Sequence, residues 1–245
     1  MAIRAHGRQA RRLRPTDLSI IFEIVLQLLL PSHSQSRSRS TDSEIFTECL
    51  DVVISAIRRR TDLVVINLPA LITIASFIFP LLQKERNAPS RSPTYRSRVC
   101  RRWPFWISEH DAGLGENEGR LLTRLLISLC HATISAPRST ELNYKAQSLA
   151  GPLAKHAPSI LVAYVRAASD PVAGLSTEVR RSLEPGLFAI CDLMTSGGRV
   201  EGHGREGESI GLPFGLGEGA GREVEKEVWA EMWRTWGKKR YVGQG

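Results

Sequence analysis

A run of twenty residues without a charged side chain, Leu63–Leu82, constrains the fold of this chain more than any other feature. Its length reaches the minimum that a helix needs to cross a bilayer. Asn67, Pro69 and Pro80 interrupt the run, and charged residues lie close to both of its ends. A helix that is apolar on all sides can equally be the inner helix of a stacked array, covered by its neighbours. Burial in such an array is our main interpretation, and a membrane span is the alternative.

Amphipathic helices are predicted on the N-terminal side of this run. Asp17 suits the start of a helix that continues to Leu30, where Pro31 ends it. Asp42 and Glu44 suit the start of a second helix. Its apolar residues recur at helical spacing, at Ile45, Cys49, Val52, Val53, Ala56 and Ile57.

The second half of the chain continues the helical pattern. One buried face is predicted from Leu121, Leu122, Leu125, Leu126 and Leu129. Pro152 and Pro158 are expected to kink or divide the helix Ala146–Ala168, because each removes a backbone donor. Pro185 and Gly186 predict the first turn of a further helix, since a proline there loses no hydrogen bond.

A last helix is predicted close to the C-terminus. Its apolar residues recur every four positions, at Val224, Val228, Met232 and Trp236. Trp229 and Trp233 broaden this stripe, and Gly237 is expected to end the helix. The preceding segment, Gly197–Gly221, is too rich in glycine to hold a regular helix.

These patterns predict an all-α protein of stacked antiparallel helices, similar to a helical-repeat array with long disordered loops. A basic disordered tail is expected over residues 1–15, followed by the N-terminal helices of the array over residues 16–85. A linker rich in Pro, Ser and Arg is expected over residues 86–118. The C-terminal helical domain then spans residues 119–241, with a Gly-rich loop over residues 197–221.

The formal net charge of +8 and the pI near 9.7 favour polyanionic partners, such as RNA or an anionic membrane surface. The first sixteen residues contain five arginines and no acid. Such a segment is typical of a nuclear or nucleolar signal, a mitochondrial presequence or a disordered basic tail, and the sequence leaves these three open.

A second basic patch alternates arginines with aromatic residues between Arg96 and Trp106. This composition suits the binding of single-stranded RNA, through phosphate contacts and base stacking. The patch carries no RNA-binding signature. Our preferred interpretation is therefore a surface loop that Trp103, Phe105 and Trp106 anchor to the helices.

Chemical motifs are weak throughout. Gly207–Gly211 matches the G-x-S-x-G pattern and Gly202–Gly207 matches G-x-G-x-x-G, but no strand precedes either, as both motifs require. The four cysteines form no C-x-x-C pair, and the six histidines have no metal-ligand spacing. We therefore expect no catalytic, cofactor or metal site, and a protein that is not an enzyme.

The helices of the second half carry a family pattern. The segment Gly119–Cys130 leads into a longer helix, and Leu183–Met194 and Gly221–Trp236 follow. The longer helix carries Leu149, Leu153, Lys155, His156, Leu161 and Tyr164. Together these segments resemble the C-terminal domain of the nucleolar pre-ribosomal-associated proteins, also called the unhealthy ribosome biogenesis family. The resemblance is best over Gly119–Tyr241, and it favours burial of the uncharged run.

The resemblance implies a non-enzymatic nucleolar scaffold, acting as an assembly factor in large ribosomal subunit biogenesis and pre-rRNA processing. Its implied partners are pre-ribosomal assembly proteins, with direct contact with pre-rRNA left open. The candidate interaction surface is the last helix with its basic tip, namely Trp229, Trp233, Trp236, Lys238, Lys239, Arg240 and Tyr241. The alternative function is that of a membrane-associated helical protein that uses residues 63–82 as its span, with mitochondria as one candidate location.

Overall fold

A computed structural model of the chain describes residues 14–30, 42–85, 104–107, 114–132, 149–170, 173–197 and 223–242. These ranges contain nine helices and one pair of two-residue strands. The helices are α1 Pro15–Leu29, α2 Ser43–Arg59, α3 Thr61–Ile66, α4 Leu68–Leu81, α5 Glu116–Cys130, α6 Ala150–Ala154, α7 Ala157–Ser169, α8 Thr177–Gly197 and α9 Glu223–Val242. The strands are β1 Lys84–Glu85 and β2 Ala173–Gly174. The predicted all-α class is confirmed.

The starts of the first two helices follow from local capping, as the sequence predicts. Asp17 accepts a hydrogen bond from the backbone N–H of Arg14 through Oδ2, at 2.8 Å. The Asp42 side chain accepts one from the backbone N–H of Glu44, at 3.1 Å. Both contacts give a partner to a backbone donor at a helix start, and both place negative charge at the positive end of the helix dipole.

The uncharged run 63–82 forms two helices rather than one. It divides at Asn67, which separates α3 from α4, and Pro69 lies in the first turn of α4. Leu68, Ile74 and Phe79 are buried in the hydrophobic core. In the part of the chain that the structure describes, no helix combines the length and apolar character that crossing a membrane requires.

Helices α4 and α7 lie side by side and point in the same direction. The rings of Phe79 and Tyr164 meet edge to face with centroids 5.9 Å apart. Four residues further along, Gln83 Nε2 donates to the carbonyl of Ala167 at 2.5 Å and to that of Ala173 at 3.2 Å. Residue numbers increase on both sides from the first contact to the second, so the two helices are parallel.

Helices α5 and α8 are also parallel, and they approach each other closely. Gly119 faces Ser182, and Gly186 faces Thr123 and Leu126. A methyl group on Gly186 would lie only 3.1 Å from the Cα of Thr123, so glycine allows the backbones to come together here. Thr123 adds a side-chain hydrogen bond to the carbonyl of Ser182, at 2.6 Å.

Two layers of helices result. In the first layer α1 packs on α4, α4 on α7, and α7 on α9, whereas in the second layer α2 packs on α5 and α5 on α8. The connection 170–176 joins α7 to α8, and because these two helices also contact each other they form an antiparallel pair. The predicted stacked array is thus confirmed.

The first-layer helices repeat one local design. Pro15, Pro69 and Pro158 each lie in the first turn of α1, α4 and α7, where a missing N–H costs no hydrogen bond. A short helix precedes both α4 and α7. The predicted division of the segment 146–168 is confirmed next to Pro158, whereas Pro152 lies within α6. The strands that follow α4 and α7 pair with each other, with Lys84 opposite Gly174. The first layer therefore consists of α1, α4, α7 and α9 in succession, each packed on the one before it.

Two predicted helix ends are wrong. Helix α8 begins at Thr177 and not at Pro185, which lies in its interior. Pro185 is exposed, so the carbonyl that loses its partner one turn earlier can bond to water. Gly237 does not end α9, which continues to Val242. A helical glycine costs only about 1 kcal/mol, and the flanking packing of α9 offsets it.

One continuous hydrophobic core extends from Leu18 to Met232 and joins the described residues of both predicted helical segments. Trp106 contributes to it from outside the helices, because its Nε1 donates to the carbonyl of Leu28 at 2.7 Å and its ring contacts Phe46. Phe105 beside it is 40% exposed. Trp106 therefore has the anchoring role that was expected for this loop. Trp103 and the arginines at 96–102 lie outside the described residues.

Candidate interaction surface on the last helix

Helix α9 is rich in charged residues arranged to favour a helix. Glu223 and Glu225 lie in its first turn, and Lys239 and Arg240 lie in its last, so both ends complement the helix dipole. Ion pairs between Lys226 and Glu223 and between Arg234 and Glu231 add support along its exposed side. The helix lies on α7 and α8.

The three tryptophans of α9 form one edge-to-face series. Ring centroids are 5.7 Å apart between Trp229 and Trp233, and 5.1 Å apart between Trp233 and Trp236. Trp229 is only 4% exposed, whereas Trp233 and Trp236 are half-buried at the edge of the core. Val224, predicted to belong to the same stripe, is instead 50% exposed. The indole N–H of Trp233 is buried without a hydrogen-bond partner among the described residues.

Trp236 is held in place by polar contacts from two helices. Its Nε1 donates to Asp192 Oδ1 of α8 at 3.0 Å, and the guanidinium of Arg240 lies 5.1 Å from its ring centroid. Arg240 Nη1 in turn lies 3.4 Å from Thr195 Oγ1. An indole fixed in this way keeps one orientation at the protein surface.

The basic tip is partly neutralised within the chain. Lys239 Nζ pairs with Glu184 Oε2 at 2.5 Å and lies 5.1 Å from the ring centroid of Phe188. Lys238 and Arg240 are exposed. The side chain of Tyr241 lies outside the described part of the chain, although its backbone continues the helix. Asp192, Glu184 and Phe188 form the other half of this surface, and no sequence signal links them to residues 44 to 55 positions away.

A cleft of about 760 Å³ lies between α7, α8 and α9. Leu187, Val228 and Met232 supply apolar lining, and charged side chains of both signs surround them. Arg180 crosses from α8 to donate to the carbonyls of Leu175 and Ala168, at 3.1 and 2.9 Å. Burial raises the pKa of Tyr164, which also lines the cleft, so its hydroxyl stays neutral.

Three cysteines among the described residues have thiols that are buried or half-buried. Burial is the main cause that raises the pKa of Cys49 to about 11, and of Cys130 and Cys191 to about 12, and nearby carboxylates contribute. Such thiols are poor nucleophiles at neutral pH. Within the described ranges, His, Cys, Asp and Glu form no group of three that could hold a metal ion. The glycine motifs at 202–211 lie outside those ranges.

The family model described as Urb2/Npa2 matches residues 3–244. The chain belongs to the Urb2/Npa2 family. This family is involved in large-subunit ribosome biogenesis, so a role in that process, among pre-ribosomal components in the nucleus or nucleolus, follows for this member. The match covers nearly the whole chain, whereas the sequence resemblance was best over residues 119–241. No curated protein and no solved structure matches the chain.

Proposed function

We propose that this Urb2/Npa2 family member is a non-enzymatic nucleolar scaffold in large ribosomal subunit maturation. The observation that carries the proposal is that the tryptophans of α9 differ in their burial. Trp229 anchors the helix in the core, while Trp236 presents a fixed aromatic edge at the surface and Lys238, two residues further along α9, is exposed.

Such an arrangement suits protein recognition. Tryptophan and arginine are over-represented among residues that dominate binding energies, especially where the side chain is already held in its bound orientation. The hydrogen bond to Asp192 and the contact with Arg240 hold Trp236 before any partner arrives. When a partner covers the exposed edge of Trp236, the Trp236 side chain therefore loses little conformational entropy.

The charge of the tip favours a protein partner over pre-rRNA. Of the three described cations at positions 238–240, Lys239 is paired with Glu184, and Arg240 already contacts Trp236. RNA affinity depends on the number of phosphates that cations neutralise. Because few cations are available at this tip, its binding to RNA should be weak and sensitive to salt. We therefore place pre-ribosomal assembly proteins at this surface, with pre-rRNA as a secondary contact.

A double variant, Trp236→Ala with Lys238→Glu, tests the proposal. Changing Lys238 is preferable to changing Lys239, because Lys239→Glu would place a second carboxylate beside Glu184 and disturb the docking of α9. We expect the double variant to keep its helical circular dichroism while its share in large-subunit precursor fractions falls on a sucrose gradient. The matched control is Lys155→Glu, which reverses the charge of an exposed lysine between α6 and α7, outside α9. Unchanged co-sedimentation of a folded double variant would remove this surface from the proposal.

A further inference from the structure

Helix α1 lies at one end of the first layer and exposes an apolar stripe. Ile20 is 57% exposed and Ile24 is 50% exposed. The two residues are four positions apart, so they lie one above the other on the same face of the helix. The opposite face of α1 carries the residues that it buries in the core, Leu18, Phe22, Val25 and Leu29.

The repeat shows what this stripe does elsewhere in the stack. Counted from the first-turn prolines Pro15 and Pro69, Ile20 corresponds to Ile74 of α4, and Ile24 corresponds to Ile78. Both α4 residues are fully buried. The equivalent residues of α7, counted from Pro158, are Ala163 and Ala167, and both are packed against the core.

The covering element at α4 is α1 itself. Ser19 Oγ lies 2.7 Å from Asn67 Oδ1, at the start of α4. Ile74 follows Asn67 by seven residues, which is about two helical turns, so it lies on the same side of α4. Ile74 and Ile78 thus lie on the face of α4 that packs against α1, the preceding helix of the first layer. By the same count, Ile20 and Ile24 lie on the face of α1 that a preceding helix would cover.

We propose that the Ile20–Ile24 stripe is a docking site for an amphipathic helix of another polypeptide, which continues the first layer beyond α1. The partner helix runs parallel to α1, as α4 and α7 run parallel to each other. It carries large apolar residues at the spacing of Leu18, Phe22, Val25 and Leu29, because that stripe is what α1 turns into the core. In helical-repeat proteins, the element that covers the last apolar face of the stack has a polar outer face.

A symmetric pair of copies of this chain does not fit the site. A symmetric pair would join two Ile20–Ile24 stripes to each other, whereas the stack joins this stripe to the opposite face of its neighbour. The site also lies on a different helix from the α9 surface and does not depend on it.

Site-specific photo-crosslinking in cells tests the inference. The tagged full chain carries benzoylphenylalanine at position 24, and crosslinked peptides are identified by mass spectrometry. We expect crosslinks to a helix of another protein, on residues whose apolar neighbours recur every three to four positions. Ile20→Glu should lower their yield about tenfold or more, because it sets a charge in an apolar contact. The matched control is Val224→Glu, a residue on α9 that is also 50% exposed.

Three results would overturn the inference. Crosslinks to residues 1–13 or 31–41 of the same chain would mean that the chain covers its own stripe. Crosslinks to a second tagged copy, with a matching dimer in sedimentation of the purified chain, would mean self-association. Absence of crosslinks from the folded protein would mean a solvent-exposed stripe. In each case the Trp236 and Lys238 variant still reports separately on the α9 surface.

Discussion

Helix α8 contacts α5 on one side and α9 on another, and the two contacts are built differently. Toward α5 it places Gly186 close to Thr123, so that backbone approaches backbone. Toward α9 it offers Asp192 and Glu184, which meet the tips of long side chains. A close backbone contact tolerates no added volume, whereas a contact through side-chain tips tolerates adjustment. The middle of the array is therefore the rigid part, and its last helix is the separable part.

The largest expected effect comes from removing the anchor of α9. Trp229→Ala should cost about 3–5 kcal/mol of local stability, the usual range for truncating a buried tryptophan. Because α9 is separable, we expect the loss to appear as faster amide hydrogen exchange over residues 223–242, with α5 and α8 still protected. Equal loss of protection in α5 would contradict the comparison. Trp236→Ala, which truncates a half-buried ring, is the control and should have a smaller effect.

The second prediction concerns the rigid contact. Gly186→Leu should lower the free energy of unfolding by roughly 1–3 kcal/mol, because α5 and α8 must move apart to make room. Gly237→Leu is the matched change in a helix, at a site where an added Cβ meets nothing within 4 Å. It should stabilise α9 by up to about 1 kcal/mol through helix propensity. Chemical denaturation of both variants measures the difference, and a stabilised Gly186→Leu variant would show that the contact can relax.

The thiols of Cys130 and Cys191 provide a third measurement, since they lie on α5 and α8. With pKa values raised to about 12, both remain protonated at pH 8, where an ordinary cysteine is partly ionised. Labelling by iodoacetamide should therefore be slow in the folded protein and rise as the pH approaches those values. Gly186→Leu should speed the labelling of both residues, whereas Lys239→Ala should not. Rapid labelling of the unaltered protein at pH 8 would contradict the burial described here.

The smallest effect is expected at the rim of α9. The ion pair between Lys239 and Glu184 is largely open to solvent, so Lys239→Ala should cost at most about 1 kcal/mol. Salt should erase most of that difference. Thermal unfolding at low and high ionic strength tests this, with Lys238→Ala as a control whose effect should be near zero. A larger cost that persists in salt would indicate that Lys239 acts through its contact with Phe188 instead.

Local signals predicted the helices well where one residue decides the outcome. Asp42 caps α2, Pro158 separates α7 from α6, and the spacing of the leucines defines the buried face of α5. The misleading residues were Pro185 and Gly237, each of which lies inside a long helix. Packing overrides local preference in both cases, since a long helix held by its neighbours loses little from one weak position.

The candidate surface could be predicted only in part. The spacing of Trp229, Trp233 and Trp236 placed them along one helix, and the structure brings their rings together. Their partners Asp192 and Glu184 come from a different helix, and sequence spacing carries no information on that pairing. The equivalence of Ile20 and Ile74 likewise becomes visible only once α1 and α4 are seen side by side.

The short strands after α4 and α7 have a mechanical consequence. Pairing of Lys84 with Gly174, together with the two hydrogen bonds from Gln83, joins α4 and α7 to each other along one edge. Bending that opens this edge must break those hydrogen bonds, whereas bending that opens the far edge leaves them intact. Bending between α4 and α7 is therefore easier in the direction that keeps this hydrogen-bonded edge closed.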